Sequence, residues 1–216
     1  MTRRDGKLRI AICSAAVGHG HGRAAHALAD GLRVLRPDAK VSIIDALSLA
    51  PAWFVHGYRD AYLATIARMP ALAGWMYSAS DRPQRGAGIG STLERFAMRR
   101  LGTDPLVARA DVVVCTHFLC GRVLSALRRN GRLASPLVIS VTDQHPHGVW
   151  LAPHADILLV ASESARTTAI ASGIRPERVR VTGIPIDRRF GKNGAREEAR
   201  TMLGLPQDRR VALVSG

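Results

Sequence analysis

Cysteine is scarce in this sequence: only Cys13, Cys115 and Cys120 occur. An odd count without framework spacing excludes a disulfide scaffold and fits reduced, buried thiols. Long apolar runs are missing too. None approaches the ~18 residues that a spanning helix needs, so the chain is expected to be soluble or to lie on a membrane. The opening "MTRRDGKLRIAICS" is basic and then apolar. Its apolar run is too short for a signal-peptide core and reads as a strand. Acidic residues are outnumbered, 17 Asp+Glu against 31 Lys+Arg, and almost all of the excess is arginine. The resulting net charge of +14 attracts polyanions, whether nucleic acid, acidic lipid headgroups or phosphorylated substrates, and alone selects none of them. No Gly-Lys-Ser/Thr is present, which excludes an ATP P-loop.

What is present is a globular composition: 216 residues, 47% hydrophobic, enough for one large domain or for a domain plus part of a second. Short apolar runs at 8–13, 41–45, 111–115, 137–142, 157–161 and 179–183 read as strands. They are continuously apolar, as in parallel strands covered on both faces. Helical patterns over 22–36, 119–129 and 163–172 separate several of them, and Ser91-Thr-Leu-Glu94 has the form of a capping box. The alternation predicts an α/β fold with a parallel sheet, which binds ligands at the carboxyl ends of its strands.

Residues 46–80 break this rhythm and hold six of the ten aromatic residues: Trp53, Phe54, Tyr58, Tyr62, Trp75 and Tyr77. Phe54, Tyr58, Tyr62 and Ile66 are spaced by four and share one helix face. Such a face is either packed inward or set against lipid, since Trp and Tyr favour membrane interfaces. A Gly-rich basic linker, "DRPQRGAGIGS", follows at 81–91. Near the end, "RRVALVSG" reads as a further strand opening another α/β unit.

The chemistry-bearing residues cluster after strands. Gly18-His19-Gly20-His21-Gly22 follows the first. Gly20 to Ala25 fits G-x-G-x-x-A, with Asp45 about twenty residues on, a weak dinucleotide fingerprint. His19 and His21 could pair on a metal, with Asp143, His145 and His147 as candidate partners, but no third ligand has a diagnostic spacing and no metal is expected. A third reading joins two turns at one cleft. The first offers a helix N-terminus suited to a diphosphate, and His21, suited to deprotonating a hydroxyl. The second, "TDQHPHGVW", offers Asp143, His147 and the flat wall of Trp150. Together they describe group transfer from a nucleotide-activated donor to an alcohol.

Three segments carry a resemblance. Ala16 to Ala25 resembles the Gly-x-Gly-His-x-x-Ala-Ala turn of the monogalactosyldiacylglycerol synthase and processive diacylglycerol glucosyltransferase family. Val141-Thr142-Asp143 through His147-Gly148-Val149-Trp150 resembles its Thr-Asp-x(n)-His-x-x-Trp segment, and Thr182-Gly183-Ile184-Pro185-Ile186 its hinge. The three fall in family order, and the glycine-histidine turn is shared by the more distant lipid-linked acetylglucosaminyl transferase of peptidoglycan synthesis.

The resemblance implies a Rossmann-like parallel sheet flanked by helices, forming the N-terminal half of a GT-B fold. Residues 1–186 would be the acceptor domain, with 46–90 facing membrane and acceptor, and 187–216 would be a hinge and a truncated start of the donor-binding domain. It implies an inverting, metal-independent hexosyltransferase without cofactor, moving glucose or galactose from a UDP-sugar to diacylglycerol. The enzyme would be peripheral on the cytoplasmic face of the cell membrane, bound to its anionic surface and not to nucleic acid. His21 maps onto the catalytic base, with His19 incidental. Gly18, Gly20 and Gly22 would admit the donor diphosphate; Asp143, His147 and Trp150 lie on the acceptor side. Trp53, Phe54, Tyr58, Tyr62 and Trp75 would touch the membrane. With the donor half missing, the chain alone is expected to be inactive. The alternatives are a non-catalytic lipid-binding or regulatory domain and an NAD(P)-binding Rossmann protein.

Overall fold

The computed structural model describes residues 6–17, 19–60, 64, 68, 89–191, 195–212 and 214. The chain divides into two compact units, Met1–Ile186 and Asp187–Gly216.

In the first unit, strands β1 (Arg9–Ser14), β2 (Lys40–Asp45), β3 (Val112–Cys115), β4 (Leu137–Ser140), β5 (Ile157–Val160) and β6 (Val179–Val181) form one parallel sheet, ordered β2-β1-β3-β4-β5-β6. Both faces are covered, which explains the unbroken apolar runs. Alternate residues of β1 enter two cores: Ile10 and Ile12 meet Ala25 and Ala29 of helix α1 (Gly20–Leu35), while Ala11 and Cys13 join the larger core on the other face. Cys13, Cys115 and Cys120 are buried free thiols, as their apolar settings predict. Burial pushes the Cys115 and Cys120 thiols well up, so both stay protonated.

Helix α2 (Ala52–Val55) follows β2, and α3 (Ile89–Ala97) and α4 (Pro105–Ala108) precede β3. Helix α5 (Phe118–Arg129) crosses from β3 to β4, and α6 (Glu163–Ala171) from β5 to β6. A Cβ at Gly121 would stand 2.9 Å from Cδ1 of Ile139, so glycine lets α5 lie close to β4. Arg128 anchors the far end of α5: its guanidinium donates to the carbonyls of Leu133, Ala134 and Ser135 and, at 2.7 Å, to Asp156. The other Asp156 oxygen accepts the Leu137 N–H at 2.7 Å, which fixes the start of β4.

Some expectations are corrected. Helix α3 begins at Ile89, so Ser91 lies inside it rather than at its cap. Glu94 is turned toward Arg122 of α5, at 3.3 Å, because that face of α3 packs inward. In the second unit, helix α7 (Ala195–Met202) forms, and Arg200 donates to the carbonyls of Pro206 and Gln207 at 2.6 and 2.8 Å. The described residues of "RRVALVSG" are not in a strand. A strand needs a ladder partner, and the second unit has none among the described residues. No helix of the described residues is long and apolar enough to cross a membrane.

Candidate active site at the carboxyl ends of the strands

Strand β1 lies between β2 and β3, so the chain leaves it in both directions across the sheet. Helix α1, after β1, covers one face, and α5, after β3, covers the other. Such a switch in direction opens a crevice beyond the strand ends, where open α/β sheets place their ligands. The segments after β1, β3 and β4 meet there.

The first supplies His21. Helix α1 starts at Gly20, two residues earlier than its apolar pattern, which puts Gly20, His21 and Gly22 in its first turn. A Cβ on Gly20 or Gly22 would meet nothing within 4 Å, so neither glycine is required by packing. Exposed His19 occupies the N-cap without a side-chain capping bond, and the first turn contains no acidic residue. The turn presents backbone N–H groups and the positive end of a helix dipole. Gly18 lies outside the described residues.

The second segment supplies Thr116 and His117, both buried. Nδ1 of His21 lies 3.2 Å from the Thr116 carbonyl and 2.6 Å from Oγ1 of Thr142, which follows β4. The Thr116 hydroxyl donates back to the carbonyl of His21 at 3.2 Å. The His117 ring meets His21 edge to face at a centroid distance of 4.5 Å and stacks on Phe118 at 4.4 Å. Nδ1 of His117 accepts the Leu119 N–H at 3.1 Å and caps α5.

The third segment supplies Asp143 and Trp150. The Trp150 indole N–H donates to Oδ2 of Asp143 at 2.6 Å. The indole is buried, 5.9 Å from the rings of both His21 and Phe118. His147 stands apart in role: it is buried and its Nδ1 accepts the Val149 N–H at 3.3 Å, capping the 3-10 turn Gly148–Trp150 that carries the indole.

These surroundings set the protonation states. Burial lowers the pKa of His21, and the negative charge of Asp143 and the Thr116 carbonyl oppose that shift. Burial pushes His117 down to about 3, with His21 adding to the effect, so His117 is neutral near pH 7. The site thus joins an uncharged imidazole, an aromatic wall and an open helix N-terminus.

His21, Asp143 and Trp150 come together as their spacing after the strands suggests. Asp45, the acidic residue of the dinucleotide fingerprint, is tied into its own loop: Oδ1 accepts the N–H groups of Ala16 and Leu47, each at 3.1 Å. The aromatic face divides. Phe54 is 5% exposed and belongs to the core, so its assignment to membrane contact is corrected; the adjacent Trp53 is 51% exposed. Tyr58 stacks on Phe54 at 5.3 Å and packs against the core, whereas Tyr62 and Trp75 lie outside the described residues. Sequence reasoning missed Thr116, His117 and Phe118. The available signal was position, since "CTHF" leaves β3 as the glycine-histidine turn leaves β1.

Among known proteins, the processive diacylglycerol beta-glucosyltransferase of Staphylococcus aureus (strains JH9 and Newman) is 22% identical over 192 residues. The match covers 84% of this chain and 45% of that protein, so the chain spans less than half the length of these relatives. The crystal structure of Anabaena HepE in complex with UDP is similar at 17% identity and a TM-score of 0.46, over 91% of this chain and 50% of that one. The apo form of the lipopolysaccharide outer core galactosyltransferase WaaB is similar at 12% identity and a TM-score of 0.43, over 81% and 45%. The family model for monogalactosyldiacylglycerol (MGDG) synthase matches residues 21–186, most of the chain, and on that match the chain belongs to the MGDG synthase family.

Proposed function

We propose that this chain is the acceptor-side half of a hexosyltransferase that moves a sugar from a UDP-sugar to diacylglycerol at an anionic membrane surface. Family membership supports the reaction class. The observation that carries the chemistry is His21, an imidazole whose pKa is lowered by burial, placed at the switch crevice beside Trp150.

In this reading His21 takes the proton of the acceptor hydroxyl. The freed oxygen bonds to the anomeric carbon of the sugar from the face opposite the diphosphate. The bond from that carbon to the diphosphate oxygen breaks, its electrons leave with UDP, and the anomeric configuration inverts. No metal is assigned to the leaving group: the first turn of α1, in which Gly20 and Gly22 lie, offers N–H groups to the diphosphate. Asp143, His147 and Trp150 shape the acceptor side, His147 through the turn that positions Trp150. Within 46–90 the membrane contact is made by the exposed indole of Trp53 and not by buried Phe54, and 187–216 are the hinge and opening of a donor-binding domain.

The test is transfer of labelled hexose from UDP-hexose to diacylglycerol in vesicles, by the chain joined to a donor-binding domain. His21→Ala should lower kcat at least about a hundredfold, the usual worth of a positioned general base, with little change in lipid binding. Unchanged turnover removes His21 from the chemistry. Lipid binding without any transfer favours a non-catalytic lipid-binding domain.

A further inference from the structure

A base works through one nitrogen, and the surroundings of His21 bear on which one. Two partners converge on Nδ1: the Thr116 carbonyl at 3.2 Å and Thr142 Oγ1 at 2.6 Å. A carbonyl oxygen only accepts. A lone pair on Nδ1 would face the lone pairs of Thr116 with no proton between them. A proton on Nδ1 is shared between the carbonyl and the Thr142 hydroxyl. The shorter contact, to Thr142, takes the larger part of it, so the carbonyl alone at 3.2 Å holds this tautomer less firmly. The ring is held from two further sides, by His117 at 4.5 Å and Trp150 at 5.9 Å.

We propose that Thr142 is a positioning residue: with the Thr116 carbonyl it fixes His21 as the Nδ1–H tautomer and leaves the lone pair on Nε2. The catalytic meaning of this arrangement rests on the reading of His21 as a base; the tautomer does not. When Nε2 takes a proton, the ring becomes a cation that keeps its Nδ1–H bonds to Thr116 and Thr142. Asp143 is then the carboxylate whose charge favours that cation, while its Oδ2 stays bonded to the Trp150 indole. Thr142 thereby acts through His21.

The experiment is nitrogen NMR of the imidazoles in the chain labelled at histidine, with the His21 signals identified by their loss in His21→Gln. The two ring nitrogens of a neutral histidine resonate far apart according to which one carries the proton. Wild type should show Nδ1 protonated and Nε2 unprotonated in neutral His21. Thr142→Ser, which keeps the hydroxyl, should show the same pattern. Thr142→Val should move His21 to a mixture of both tautomers, and Thr142→Ala repeats the test should valine not fold. An Nε2–H tautomer in wild type overturns the proposal, because Thr142 would then be donating to Nδ1. An unmixed Nδ1–H tautomer in Thr142→Val or Thr142→Ala also overturns it and leaves Thr116 as the sole determinant. These readouts need no donor sugar, so they separate failure of this proposal from failure of the glycosyl-transfer reading, which His21→Ala decides.

Discussion

Thr116 holds His21 at two points. Its carbonyl lies 3.2 Å from the ring Nδ1, and its hydroxyl donates to the His21 main-chain oxygen at 3.2 Å. One residue at the end of β3 thereby ties down both the backbone and the ring of a residue in the first turn of α1. The two bonds separate under mutation. Thr116→Val removes the hydroxyl and keeps the carbonyl, so chemical denaturation should show a loss of about 1 kcal/mol, the usual net worth of a hydrogen bond. The His21 ring should keep its protonation pattern in the same variant by NMR. A changed pattern would mean that the side-chain bond, not the carbonyl, orients the ring.

His117 gives the fold a pH dependence with a definite sign. Its pKa is pushed down to about 3 by burial, against about 6.5 for a free histidine. Between those values the unfolded chain binds a proton that the folded chain refuses, so stability rises with pH across the window and falls on acidification. The contribution is intact above about pH 6.5 and is lost progressively toward pH 3. Between pH 7 and pH 5 the loss from His117 should be about 2 kcal/mol, and His21, also lowered by burial, adds in the same direction. His117→Asn retains a side chain that can cap α5 but does not titrate. Urea unfolding midpoints should therefore fall less on acidification for His117→Asn than for wild type. Equal slopes would show that the buried ring does not carry the linkage.

Gly20 and Gly22 sit in a helical turn where a Cβ has open space, and neither has a positive φ. Alanine should favour the helix at both positions, raising stability by up to about 1 kcal/mol. If the glycines are there for the close approach of a diphosphate, the same alanines should raise the KM for UDP-sugar in the joined enzyme. Greater thermal stability together with unchanged KM would free the first turn of any role in the donor site.

The sheet was legible because each strand is an unbroken apolar run, and both-face burial in a parallel sheet demands that pattern. Strand ends were less legible. The apolar run 137–142 extends through Thr142, yet β4 stops at Ser140 and the following residues turn into the site. The order of the strands depends on pairing between distant segments and has no local signature. His21, Asp143 and Trp150 could be found because each follows a strand within a distinctive motif. His117 could not, because one histidine after an apolar run reads as a packed core residue. It is in fact buried, and matters through its edge contact with His21. The four-residue spacing of Phe54 and Tyr58 identified a shared face but not its direction. Only the contacts showed that Phe54 points into the core.

Trp53 and Phe54 are neighbours with opposite environments, and that contrast tests the membrane reading. Their rings meet edge to face at 5.7 Å, but Phe54 is 5% exposed and Trp53 51%. Phe54→Ala should cost about 3–5 kcal/mol of stability, as for other buried phenylalanines. Trp53→Ala should cost about 1 kcal/mol or less, the worth of one aromatic contact. An exposed indole suits the interfacial layer of a bilayer, and the net charge of +14 suits anionic headgroups. Each Lys or Arg near such a surface contributes about 1 kcal/mol, within a Debye length of about 10 Å at 0.1 M salt. Binding in vesicle sedimentation should therefore strengthen with anionic lipid, weaken with salt, and drop in Trp53→Ala while its thermal stability is nearly unchanged. Equal binding to neutral and anionic vesicles would remove the electrostatic half of the argument. Wild-type binding by Trp53→Ala would show that the exposed indole does not enter the bilayer.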